Sequence, residues 1–245
     1  MKEVTLTITK NVAVSSDTYL MELKGDLTEI KNPGEFVEIK IPNYYLRRPI
    51  SVHKYGKDYL QLLYKVLGHG TKDMTSYSVG MNLDVLVGLG NGFDVSRSKK
   101  PLLVAGGIGI APMFELAIKF NELGIKPKIL YGAAKKEDLV LLDELNKLGE
   151  LIVCTDNGSL GFHGNTVAYL KNNQVEFDYY YACGPEPMLK YLKLFNENGC
   201  LSLEARMGCG FGACMGCSIQ TIKGPKRVCK EGPVFEANEV IFNEY

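Results

Sequence analysis

LLVAGGIGIAP, residues 102–112, is the stretch on which the reading of this chain turns. LLVA (102–105) is an apolar run suited to a buried strand, and Gly106-Gly107-Ile108-Gly109 breaks it. A helical stretch follows, with Pro112 fitted to its first turn and Gly124 to its end. A strand that turns on glycines into a helix lets backbone amides and a helix N-terminus meet a pyrophosphate. Gly106, Gly107 and Gly109 are therefore candidate dinucleotide contacts. The match to G-x-G-x-x-G is incomplete, because Pro112 stands where the last glycine belongs. Glycine-rich turns of this kind also arise for packing alone.

Downstream the rhythm persists. KILYG (128–132), LIVCT (151–155) and YYYAC (179–183) read as strands. Between and after them lie helix-like LVLLDELNKL (139–148), a helix near 165–173, and one after Pro185 that ends by Gly199. Strands alternating with helices predict a parallel sheet with crossover helices. Cys183 ends such a strand, at the sheet edge where ligands bind in open α/β folds, although a lone cysteine is more often a small buried hydrophobe. Thr155-Asp156-Asn157-Gly158 ends another strand and lines the same crevice or is only a turn.

Upstream the pattern differs. VTLTITK (4–10) and FVEIKI (36–41) alternate with period two, and YLQLLYKV (59–66) is rich in β-formers. Turn signals at Asn32-Pro33-Gly34, Ile41-Pro42-Asn43 and Gly88 to Gly92 separate short strands, which predicts a small antiparallel barrel. Arg97-Ser98-Lys99-Lys100-Pro101 reads as a linker. The division expected is 1–98 for the barrel, 99–200 for the α/β unit and 201–245 for a small C-terminal segment. That last segment is too short for much of a core, so an inorganic cluster is expected to supply its order.

Its cysteines carry the strongest signal. Of seven in the chain, four fall within residues 209–229, spaced Cys209-x4-Cys214-x2-Cys217-x11-Cys229. C-x4-C-x2-C with a distant fourth cysteine is the plant-type [2Fe–2S] spacing. Gly208, Gly210, Gly212 and Gly216 interleave the ligands and let the loop wrap tightly. The alternatives are structural zinc or incidental thiols. Zinc sites favour paired C-x2-C knuckles or histidine, and none of His53, His69 and His163 lies near this loop.

Composition narrows the function classes. Lys+Arg and Asp+Glu are both 28 among 245 residues, so the formal net charge is zero and the basic excess typical of nucleic-acid binding is missing. The start, MKEVTLTITKNVAV, has no apolar signal-peptide core, and the longest uncharged run is broken by glycines and proline. These features, with an odd cysteine count, predict a soluble protein of the cytoplasm, with no membrane or nucleic-acid partner.

Leu46-Arg47-Arg48-Pro49-Ile50-Ser51 resembles the R-x-x-S flavin motif of the ferredoxin–NADP reductase superfamily. The glycine turn at 106–109 and Cys183-Gly184-Pro185 resemble its nicotinamide half. With the cluster loop, ending Val228-Cys229-Lys230-Glu231-Gly232-Pro233-Val234-Phe235, the order resembles the electron-transfer subunits of NAD-linked (class 1B) dihydroorotate dehydrogenase over essentially the whole chain. The resemblance implies a multidomain β plus α/β protein. It would have an antiparallel β-barrel FAD domain, a parallel-sheet α/β NAD-binding domain and a small C-terminal [2Fe–2S] domain. It implies FAD contacts at Arg48, Pro49, Ile50, Ser51, Leu63, Tyr64, Lys65, Gly70 and Thr71, with Cys183 near the meeting of nicotinamide and flavin.

Read without the resemblance, Arg47 and Arg48 are an ordinary solvated pair and Tyr64 a core strand residue. Lys135-Lys136 could hold a 2′-phosphate and favour NADP, although an exposed charge run is the better explanation. The family implies an FMN-containing catalytic subunit as partner, in a heterotetramer, and electron flow from dihydroorotate through the cluster and FAD to NAD+. Two other readings share parts of the pattern: the flavin/iron–sulfur subunit of an NAD(P)H–ferredoxin or sulfide oxidoreductase, and a nucleotide sensor stapled by zinc.

Overall fold

The computed structural model describes residues 1–242. Six strands, β1 (Lys2–Ala13), β2 (Thr18–Lys24), β3 (Phe36–Ile39), β4 (Arg48–Tyr55), β5 (Tyr59–Lys65) and β6 (Asn82–Leu89), close into a barrel of order β1-β2-β5-β4-β3-β6. Every neighbouring pair is antiparallel. Alternation supplies the interior: Val4, Leu6 and Ile8 of β1 and, on the neighbouring strand, Leu83, Val85 and Val87 of β6 are buried in one core. Closure removes free strand edges. Helix α1 (His69–Met74) follows β5, its first turn capped by the Thr71 hydroxyl, which accepts from the Leu67 and Gly68 amides at 3.0 and 3.2 Å.

The second half is a seven-stranded sheet. β7 (Pro101–Gly106), β8 (Lys128–Ala133), β9 (Glu150–Thr155), β10 (Phe162–His163), β11 (Tyr179–Cys183) and β12 (Gly199–Ser202) are parallel. Helices α2 (Ile110–Glu122), α3 (Leu142–Leu148), α4 (Thr166–Asn172) and α5 (Glu186–Phe195) cross between them. A short hairpin, β13 (Ser218–Thr221) with β14 (Gly224–Arg227), follows the cysteine loop. β15 (Val234–Glu236) then returns to pair antiparallel with β12, giving the sheet order β10-β9-β8-β7-β11-β12-β15.

Four expectations change. The boundary drawn at 200/201 falls inside β12, and the C-terminal segment contributes β15 to the nucleotide-binding sheet. That segment is not ordered by a cluster alone: Val228, Phe235, Ala237 and Val240 are buried in one core with Leu102, Val104 and Tyr180. The helix read over 139–148 begins only at Leu142, because Leu139 is extended and Leu141 sits at φ 59°. The 97–101 linker is pinned rather than free, since the Asp178 carboxylate accepts from Ser98 Oγ and from the amides of Lys99 and Lys100.

The barrel meets the sheet layer through β4 and α2. His53 is 2% exposed, its ring 4.5 Å from that of Phe114 and its Nδ1 donating to the Ala111 carbonyl at 3.0 Å. Burial pushes this imidazole down to about 4, so it is neutral and packs as an aromatic. Beside it burial lifts Glu115 to about 6. No helix among the described residues is long and apolar enough to cross a membrane.

Candidate functional site

A cleft of about 240 Å³ opens where barrel, sheet and cysteine segment converge. The barrel supplies Arg48, Pro49, Ile50 and Ser51 from the start of β4, Leu63, Tyr64 and Lys65 from the end of β5, and Thr71 from α1. β4 and β5 are antiparallel neighbours, which is why two motifs a dozen residues apart share one rim. Cys183, at the end of β11, forms part of the opposite wall.

Arg47 and Arg48 part company here. Arg47 is drawn to the outer wall by Glu3 and by Asp84, the latter at 2.8 Å. Arg48 lines the cleft, its guanidinium 4.8 Å over the Tyr44 ring, and among the described residues no carboxylate pairs with it. Gly70 does not line the cleft. A Cβ there would meet Arg48 Nε at 2.8 Å, so its missing side chain makes room for the arginine. Tyr64 is 1% exposed and its hydroxyl bonds Asn11 at 3.2 Å, so it serves the barrel core as well as the rim. Lys65 is paired with Asp17 at 3.1 Å.

Cys183 is 3% exposed. Burial raises its thiol to about 12, with Ser202 as a hydrogen-bond partner, so it is a neutral wall and no nucleophile.

A second pocket, about 310 Å³, adjoins the first and shares Lys65 and Ile108 with it. Gly106 and Gly107 line it, the latter at φ 54°. Gly109 does not; a Cβ there would lie 2.2 Å from the Cys183 carbonyl oxygen, so close packing of the turn on β11 explains this glycine. Lys135 and Lys136 are exposed and outside the pocket, whereas Asp138 and Asp156 line it. Residues the sequence reading missed include Thr166 in this pocket and Ile108, Ser202, Glu204, Met207 and Pro233 in the first. Thr166 had no signal, being one hydroxyl at the start of a short helix. Its Oγ1 is buried and lacks a hydrogen-bond partner within the chain.

The cysteine loop is shaped by left-handed turns at Gly210, Gly212 and Met215. Cys217 and Cys229 are buried with their sulfurs 3.2 Å apart, while the free thiols of Cys209 and Cys214 form a second, hydrogen-bonded pair nearer the surface. Backbone amides already point at the sulfurs: Ala213 and Cys214 donate to Cys209 at 3.2 and 3.4 Å, Gly216 to Cys214 at 3.5 Å, and Cys229 to Cys217 at 3.4 Å. Burial lifts the Cys209 thiol, but these donors outweigh it and hold the group at about 6. Among the described residues no three His, Cys, Asp or Glu side chains converge on one point suited to a single metal ion. Two thiol pairs served by N–H donors suit a two-iron cluster better than one zinc. Glu38 lies beneath the loop, 1% exposed with Oε1 unpartnered, and a Cβ on Gly210 would sit 2.4 Å from that oxygen.

Comparison with known proteins agrees. Residues 204–241 match the family described as the iron–sulfur cluster binding domain of dihydroorotate dehydrogenase B. The electron transfer subunit of dihydroorotate dehydrogenase B (NAD(+)) from Fusobacterium nucleatum is 41% identical over 98% of this chain and 99% of its own length. The chain belongs to this family. The corresponding subunits of Enterococcus faecalis and Bacillus pumilus are 39% and 37% identical, each over 98% of both chains.

Among solved structures, a chain of the NADH-dependent reduced ferredoxin–NADP oxidoreductase superposes with TM-score 0.87 at 27% identity, covering 96% of this chain and 89% of that one. The cytochrome b5 reductase domain of Ulva prolifera nitrate reductase, at 17% identity and TM-score 0.65 over 77% of this chain and 89% of that one, shares the fold. The chain therefore shares with these structures the fold of barrel and α/β sheet, with the cysteine segment appended to the sheet.

Proposed function

We propose that this chain is the electron-transfer, NAD+-reducing subunit of a two-subunit dihydroorotate dehydrogenase of pyrimidine (UMP) biosynthesis, carrying FAD and a [2Fe–2S] cluster. Electrons would leave dihydroorotate at an FMN in a separate catalytic subunit and end on NAD+. The observation that carries the reading is the shared cleft: the flavin motif of β4, the end of β11 and the cysteine segment, through Met207 and Pro233, all line it. Flavin, when bound, interconverts the hydride pair of NAD with the single electrons of an iron–sulfur cluster.

The chain's own residues do the rest. Arg48 offers an unpaired cation to a flavin phosphate, with Ser51 and Thr71 as hydroxyl partners. Pro49, Ile50 and Leu63 exclude water, and Tyr64 and Lys65 close the rim. Gly70 and Gly109 act by admitting Arg48 and the Cys183 backbone. Gly106 and Gly107 let the dinucleotide approach, and Cys183 walls the place where nicotinamide meets flavin. Asp138 and Asp156 in the second pocket, with the lysine pair outside it, favour NAD over a cofactor bearing a further phosphate. Cys209, Cys214, Cys217 and Cys229 hold the cluster. The barrel works as one unit over 1–98, and the α/β sheet and the cysteine segment are joined through β12 and β15, in a cytoplasmic heterotetramer of two copies of each subunit.

A Thr166→Val replacement tests the second pocket. It removes an unsatisfied buried hydroxyl at constant shape, so the free protein should be at least as thermostable. The KM for NADH should rise by roughly two- to tenfold, the worth of one hydrogen bond. An unchanged KM removes Thr166 from the site.

The whole reading is tested by NAD+ reduction driven by dihydroorotate in the native complex isolated on this chain. Activity should vanish when the chain is stripped away. The structural likeness to the ferredoxin–NADP oxidoreductase chain favours one alternative, a subunit exchanging electrons between NAD(P)H and ferredoxin. A complex that reduces ferredoxin from NAD(P)H and ignores dihydroorotate would establish it instead.

A further inference from the structure

The turn that ends the barrel grips the chain just after the last cluster cysteine. Asn91 stands between Gly90 and Gly92, which take φ 81° and 68°. Its side chain makes three hydrogen bonds to one segment: Nδ2 donates to the Glu231 and Val234 carbonyls at 2.8 and 3.0 Å, and Oδ1 accepts from the Val234 amide at 3.2 Å. Its own amide adds a bond to the Gly232 carbonyl at 2.9 Å. The gripped segment contains Pro233, a wall of the flavin cleft, and lies close after Cys229.

Two further contacts extend the grip. A Cβ on Gly90 would sit 2.6 Å from Pro233 Cδ, so the turn seats the proline directly. On the other side Arg227 binds the Glu231 carboxylate and donates to the Gly212 carbonyl at 2.6 Å, inside the loop that carries Cys209 and Cys214. A continuous path of polar contacts thus runs from the barrel through Asn91, Glu231 and Arg227 to the cysteine loop. Asn91 touches neither cysteine nor the flavin cleft.

We propose that Asn91 is a positioning residue that fixes the cysteine segment against the barrel and so sets the geometry of electron exchange between cluster and flavin. The inference rests on the function proposed above, because it needs both groups in this chain. β15 already holds the far side of the segment to the sheet, so the turn is the barrel's own tether on it. A tether of this kind matters for electron exchange and not for nicotinamide chemistry, since Asn91 lines neither pocket.

The test uses the complete complex with NADH as electron donor, comparing wild type, Asn91→Ala and Asn91→Asp. Hydrogen–deuterium exchange reads the tether without activity: in Asn91→Ala the Val234 amide should exchange roughly tenfold faster, the effect of losing its acceptor. Asn91→Asp keeps that acceptor but loses both donors and sets a carboxylate oxygen against the Glu231 and Val234 carbonyls, so its protection should fall at least as far. Rapid-mixing spectroscopy then separates two steps. Bleaching of flavin by NADH should be unchanged in both variants. Appearance of the reduced-cluster paramagnetic signal should slow on the order of tenfold in Asn91→Ala, as small misplacements of reacting partners do, and by at least as much in Asn91→Asp.

A cluster signal that appears at the wild-type rate despite faster Val234 exchange overturns the proposal. So does a parallel loss of both steps, which marks Asn91 as a general stabiliser of the barrel. If Asn91→Ala does not fold, Asn91→Ser, which keeps a small neutral hydroxyl at the turn, decides by the same split. A wild-type complex without flavin or cluster signals sinks the function reading itself, an outcome distinct from either.

Discussion

Replacing Cys214 by serine should stop dihydroorotate-driven NAD+ reduction by the complex, by at least about a hundredfold, since even outer contacts of a metal site cost tenfold to a hundredfold. NADH-driven bleaching of the flavin should persist. Cys214 is the informative choice because it is the exposed cysteine of the four. Cys217 and Cys229 are 3% and 2% exposed within the main core, so a hydroxyl there adds the cost of a buried polar group to the loss of a ligand. At Cys214 the harder, poorly ionised serine oxygen weakens cluster binding while leaving the core intact. Loss of the cluster's visible and paramagnetic signals, with flavin retained, is the accompanying signature. A dihydroorotate-to-NAD+ rate equal to wild type would remove the cysteine loop from the electron path.

Arg48→Ala should weaken FAD binding by about ten- to a hundredfold, the worth of a charge-assisted hydrogen bond to phosphate. Arg47→Ala should leave FAD affinity unchanged. The two arginines are adjacent, yet their environments differ. Arg47 is committed to Glu3 and Asp84 on the barrel exterior, and removing a partly exposed pair of this kind costs at most about 1 kcal/mol of stability. Arg48 lies in the cleft, held over Tyr44 and admitted by the missing side chain of Gly70. Titration of the flavin-free protein with FAD, followed by flavin fluorescence, separates them. Equal losses in both variants would mean that the pair acts through the barrel's fold and not through a phosphate contact.

Much of this was legible in the chain. Period-two alternation in VTLTITK and FVEIKI placed barrel strands because inward side chains must be apolar at every second position. LLVAGGIGIAP placed the first strand, turn and helix of the α/β half, since a glycine turn between an apolar run and a helix start has few other uses. The spacing Cys209, Cys214, Cys217, Cys229 named the cluster loop, because four thiolates around two irons constrain how much chain can separate them. β2, β4 and β6 were not read individually. β2 and β4 are interrupted by charges and pairing with neighbours makes them strands, whereas β6 alternates cleanly through buried Leu83, Val85, Val87 and Leu89 and was legible in the chain.

What the sequence determined by itself is therefore the order of units and the chemistry of their motifs, which depend on local periodicity and spacing. What only the tertiary structure decided is which member of each motif faces the cleft. Arg48 was separated from Arg47, Gly106 and Gly107 from the packing glycine Gly109, and the pocket aspartates from the exposed lysine pair. The return of β15 to the sheet and the grip of Asn91 on residues 231–234 belong to the same class. The physical reason is common to all of them. A side chain's direction is set by the register of its strand against partners dozens to more than a hundred residues away, and no local pattern carries that information.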